Sequence, residues 1–75
     1  MNDQAMKRAA LEELRHKTLV QIQVETAYTW AYRSWAARQH ALDADAQEYA
    51  HEALEHAALS EDDQVLADVR RIIAG

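Results

Sequence analysis

The sequence predicts an all-α protein, a long first helix followed by two shorter ones, and three observations carry that expectation. There is no Pro among the 75 residues and the single Gly is Gly75, so the usual punctuation of turns and hairpins is missing. Ala and other good helix formers are abundant and β-branched runs are short. Apolar residues recur at helical spacing, whereas no stretch alternates apolar and polar residues with period two for long enough to read as a strand.

The first helix is expected over about residues 3–41, roughly 57 Å of straight rod at 1.5 Å per residue. At 100° per residue, Met6, Ala10, Leu14, Val20, Val24, Ala27, Tyr28, Ala31, Trp35 and Leu42 share one broad face, the ordinary stripe of a core-facing helix. A narrower second patch gathers Leu19, Trp30 and Ala37. Four of the five aromatic residues fall between Tyr28 and Trp35. Rings bury the most apolar surface per residue, so this segment should be the thickest part of the fold.

The segment Leu42-Asp43-Ala44-Asp45 reads as a turn, with Asp43 or Asp45 capping the next helix. That second helix is expected over about 44–59, with a small-residue face of Ala46, Ala50, Ala53, Leu54 and Ala57 that should pack closely against the ring-rich face of the first. Ser60-Glu61-Asp62-Asp63 reads as a further N-terminus, a Ser cap followed by acidic residues at the positive end of the helix dipole. The third helix, about 61–74, presents Val65, Leu66, Val69, Ile72 and Ile73. Its apolar face is rotated about 110° from that of the second when one register is continued, more than supercoiling absorbs, so a break at Ser60 is expected.

A chain this short forms one domain and needs extra burial from disulfides, metals or association. It has no Cys, which removes disulfides and thiolate metal sites together. The lengths then decide: a leading helix of nearly forty residues outruns its followers, and the Leu11, Leu14 and Val20 part of its stripe has no cover within the chain. A homodimeric helical bundle is the expected solution. The interface residues expected are Leu11, Leu14, Val20, Tyr28, Trp30, Tyr32 and Trp35. Charge supports pairing of unlike ends, because residues 1–42 carry six Lys/Arg against four Asp/Glu while residues 43–75 carry two against nine. Such opposed halves favour antiparallel pairing of two copies. The total of −5 disfavours bulk nucleic-acid binding, and Arg33 and Arg38 beside the aromatic residues lack a Lys/Arg run that would track a phosphate backbone.

Chemistry has little to work with. There is no Gly-rich phosphate loop, no thiol and no Ser with a base at a recognisable spacing, so an enzyme is not expected. The one suggestive cluster is Glu48 and His51 at Glu-x-x-His spacing, with Glu52, Glu55 and a distant Glu25. It could hold iron, manganese or zinc between subunits, as in the ferritin-like carboxylate bundles. With the turn near residue 43, Glu25 would lie opposite residue 61, about 19 Å along the bundle from Glu48, so the site could not close within one chain. The plainer reading is a solvated acidic face with His51–Glu55 and Glu52–His56 pairs. His16 and His40 are expected in solvent. Glu25, interrupting the least charged stretch, reads as a polar contact that sets the register of a dimer.

Ala46, Ala50, Ala53 and Leu54 resemble the small and apolar positions in the second helix of a tetratricopeptide repeat, with Trp30 preceding them by a similar interval. Arg33 and Ser34 stand where that repeat has Leu and Gly, however, and a solenoid needs at least three repeats. No family is recognised on these residues. The expected function is that of a small helical protein–protein interaction module, self-associating through its first helix and meeting a partner through the Trp30 patch or the acidic surface of residues 43–63. The alternatives are the metal-binding or redox bundle and an acidic inhibitor of a basic, nucleic-acid-binding partner. The segment Thr18–Tyr32 is too polar to span a membrane and Met1-Asn2-Asp3-Gln4 leads into no signal-peptide core, so the cytoplasm is the expected location.

Overall fold

The computed structural model describes residues 3–75. They form α1 (Asp3–Gln39), α2 (Asp43–Leu59) and α3 (Asp63–Ala74), with no strand among the described residues. The chain turns back twice. Trp30 faces Tyr49, Gln23 meets His56, and Ser34 Oγ donates to the Ala46 carbonyl, which sets α2 antiparallel to α1. Tyr28 reaches Asp68, and Tyr32 and Trp35 share a groove with Ile72, so α3 runs parallel to α1 in the cleft of the hairpin.

The core is a seam of small residues. Ala27 and Ala31 of α1 meet Ala53 and Ala57 of α2, and Val65 and Val69 of α3 close the third side. Small side chains let two helix backbones approach closely, and the larger Val24, Tyr28, Trp30, Leu54, Leu66, Ile72 and Ile73 pack round the edge. This corrects the expected packing of small residues against large ones. The stripe is rotated: Ser34 and Ala37, absent from the anticipated face, are buried, while Trp35 and Leu42, counted on it, are exposed. The reason is size, since Ala27, Ala31 and Ser34 at i, i+4 and i+7 form the flattest strip on α1.

Both reversals are tight. At the end of α1, Leu42 N–H donates to the Ala37 carbonyl at 2.9 Å and Ala41 N–H to the Arg38 carbonyl at 3.0 Å, a Schellman arrangement. It places Ala41 in the left-handed region at φ 59°, and Glu61 after α2 adopts the same φ. The expected Asp cap on α2 is not formed, for the helix takes in Asp43 and its N-cap is Leu42. The expected Ser60 cap also moves: Ser60 is the buried C-cap of α2, its hydroxyl donating to the Ala57 carbonyl, and Asp62 caps α3 by accepting from Gln64 N–H at 2.9 Å. The break between α2 and α3 therefore falls where it was expected, one to two residues later in chemistry.

Ala41 is the cheaper of the two left-handed positions to relieve, because it carries no side-chain contact while Glu61 Oε2 lies 3.4 Å from His16. Ala41→Gly removes a Cβ clash of about 1 kcal/mol at this φ, offset in part by the freedom Gly adds to the unfolded chain. A net gain of up to about 0.5 kcal/mol is expected in urea denaturation.

Candidate functional site

From Asp3 to Leu19 every residue of α1 is exposed. The first contact with the rest of the chain is the His16–Glu61 pair at the foot of the bundle, at 3.4 Å and well solvated. The exposed arm of residues 3–19 is about 25 Å long. Leu11 is 62% exposed and Leu14 60%, with Met6, Leu19 and Ile22 also open to solvent. The arm makes the molecule long: 62 × 18 × 12 Å, with a radius of gyration of 16.5 Å against roughly 11 Å for a compact chain of this length. Its accessible surface of 5678 Å² likewise exceeds the roughly 4,700 Å² that size scaling gives for a compact monomer of 8.6 kDa.

The seven residues expected at an interface divide into two groups. Leu11, Leu14, Tyr32 and Trp35 are exposed on α1, and the last two line a groove of about 260 Å³ with Arg71, Ile72 and Gly75. Val20, Tyr28 and Trp30 are half-buried within the chain. Trp30 lies 5.4 Å from the Tyr49 ring and under the Arg33 guanidinium at 4.9 Å, so much of the second patch is already covered. A guanidinium over an indole at this distance makes a cation–π contact.

Tyr28 ties α3 to α1. Its hydroxyl donates to Asp68 Oδ2 at 2.6 Å, while Gln64 Nε2 donates to the other oxygen at 2.9 Å. The bond to the carboxylate, with burial adding to it, pushes the phenol from 10.0 up to about 12, and the same bond holds the Asp68 carboxyl below its ordinary value. A raised phenol stabilises the fold fully below pH 10, and this contribution is lost as pH climbs towards 12. The depressed carboxyl works at the other end, contributing above pH 3.8 and losing its contribution as pH falls below that. Tyr28→Phe is accordingly expected to flatten the alkaline part of the stability profile, read as the difference between urea midpoints on either side of that window.

The acidic cluster on α2 behaves as a solvated face within the chain. His51 lies 3.5 Å from Glu55 and His56 3.7 Å from Glu52, both one helical turn apart, and the second ring nitrogen of His56 meets Gln23 Oε1. Glu48 is exposed, and Glu25 lies across from Gln21 Nε2 at 3.5 Å. The register of the hairpin differs from the expected one. Because α1 ends at Gln39 and Gln23 is level with His56, Glu25 stands level with about residue 54 rather than 61. It is nearer to Glu48 than the sequence implied. Even so, among the described residues no group of three or more His, Asp or Glu side chains converges as a metal-ligand set.

Two site residues escaped the sequence reading. Ser34 was not foreseen as a buried contact, although its place one turn beyond Ala31 was the available signal. Ile22 was not counted on any apolar face, yet it is exposed on the outward side of α1. Among the described residues no helix is long and apolar enough to cross a membrane. No family model matches the chain, and neither the curated proteins nor the solved structures contain a match to it.

Proposed function

We propose that this protein is a small, non-enzymatic helical interaction module that self-associates through α1 and whose activity is binding. The observation that supports the reading is the arm of residues 3–19, whose Leu11, Leu14 and Leu19 are exposed and stand outside the core cluster. A lone helix of that length is marginal in water. Its stability is understandable if another surface covers it, and an excess of about 1,000 Å² over the compact expectation is close to the ~800 Å² each partner contributes to a standard interface. The acidic outer surface of α2, with Asp43, Asp45, Glu48 and Glu55 exposed, stays free when α1 pairs and is the surface offered to a protein partner. Light scattering from micromolar to millimolar concentration tests the proposal. Twice the chain mass is expected, and a single chain's mass throughout the range would refute it.

A further inference from the structure

The outward side of α1 carries a repeat that becomes visible once the inward side is known. Leu11, Leu14, Thr18, Gln21, Glu25, Tyr28, Tyr32 and Trp35 are spaced 3, 4, 3, 4, 3, 4 and 3 residues apart, the spacing of a coiled-coil seam. None of the eight belongs to the buried alanine seam; Tyr28 packs on the core edge and bonds Asp68, Tyr32 and Trp35 flank the α3 groove while staying exposed, and the other five are exposed. The seam is apolar at both ends and polar in the middle.

Resting on the self-association proposed above, we infer that two copies pair antiparallel along this seam, centred level with Gln23. In that register Leu11 packs on the second copy's Trp35, Leu14 on its Tyr32, Thr18 on its Tyr28 and Gln21 on its Glu25, and every layer recurs by symmetry on the other side of the two-fold axis. Each arm is thereby sheltered by the body of the other copy. Leu11 arrives beside the groove between Tyr32, Trp35 and Ile72, which supplies a concave apolar seat.

Charge selects this orientation over the parallel one. A parallel pairing with equal residues in each layer sets Glu25 against Glu25 inside the seam and lays two acidic bodies side by side. The antiparallel pairing gives each Glu25 an amide donor from Gln21, a residue already within 3.5 Å of it in the same chain. It also sets the two acidic bodies, residues 43–75 with two Lys/Arg against nine Asp/Glu, towards opposite ends of the seam, each beside an arm whose residues 3–19 carry four Lys/Arg against three Asp/Glu. Ile22, exposed one residue from the axis, faces its own counterpart, while Val24 on the other flank turns into its own core. The contact extends over about 36 Å of helix, from layer 11 to layer 35.

The absence of Cys from the chain makes the register directly readable by disulfide formation. L14C and Y32C chains, purified singly, mixed and oxidised, are expected to join as a mixed dimer. L14C alone is expected to link at least about tenfold more slowly, since its two copies stand about 27 Å apart along the axis and a disulfide cannot bridge Cα atoms more than about 7 Å apart. Light scattering on the same unoxidised samples separates the two failures. Dimers in which L14C links readily to itself, or in which the mixed pair does not link, overturn the antiparallel register and leave self-association standing. Monomers throughout overturn both.

Discussion

Ala53→Leu is expected to destabilise the fold by about 2–3 kcal/mol, and to do so by adding apolar volume rather than by removing it. Ala53 is completely buried where α2 crosses Ala27 and Ala31, and the closeness of the two helices leaves no room for three more carbon atoms. The backbones must separate, which also strains the bond from Ser34 Oγ to the Ala46 carbonyl, 2.8 Å long at present. A domain of this size has a total stability of about 4–8 kcal/mol. The loss therefore removes a large part of it, and at about 4–8 °C per kcal/mol the thermal midpoint falls by roughly 10–20 °C. Ala58→Leu, on the exposed side of α2, should stay within about 0.5 kcal/mol of the parent. Urea denaturation of the two variants decides the matter. Equal effects would mean that α1 and α2 are not held together by a close seam of small residues.

The second large effect is expected at the arm. Leu11→Glu with Leu14→Glu leaves the intrachain contacts untouched, because neither side chain packs on α2 or α3. In a dimer it replaces four leucines, and burying even half of each is worth about 1 kcal/mol, so association should weaken by about 4 kcal/mol, roughly a thousandfold in Kd. The same variant should lose helix. Without cover the arm of seventeen residues is too short to persist, and roughly a quarter of the helical ellipticity at 222 nm should disappear while the α2–α3 bundle remains folded. In the parent protein that quarter should return with rising concentration, in step with mass. A variant that stays dimeric with its full ellipticity would show that the leucines play no part.

The fold class was legible because each element announced itself locally. The absence of Pro and internal Gly left long helices as the available structure, the rotation between the faces of α2 and α3 required a break near Ser60, and the mismatch of lengths exposed the arm. What was not legible was rotation about the helix axis. The stripe read from the sequence held Ala27, Tyr28, Ala31 and Trp35 together and left out Ser34 and Ala37, but close approach of two backbones rewards small residues, and Tyr28 and Trp35 were displaced to the rim. Capping was misplaced for a related reason. Sequence rules expect Gly at a left-handed helix terminus, and Ala41 and Glu61 occupy that conformation without it, so the true turns sat slightly away from the Asp and Ser residues that marked them. The seam on the outward side of α1 could have been counted from spacing alone. Glu25 was read as a register-setting contact, but the seam through it was obscured because the anticipated stripe on α1 ran along the other side, through Val20, Val24 and Ala27.

Hydrogen exchange of the arm's backbone amides, followed as a function of protein concentration, tests most directly whether a second copy shelters residues 8–19. The account predicts fast exchange there in dilute solution and protection that grows with concentration, alongside the dimer mass, while amides of the α1–α2 seam around Ala31 and Ala53 stay protected throughout. Arm amides that are equally protected in a demonstrated monomer, or equally unprotected in a demonstrated dimer, would contradict it.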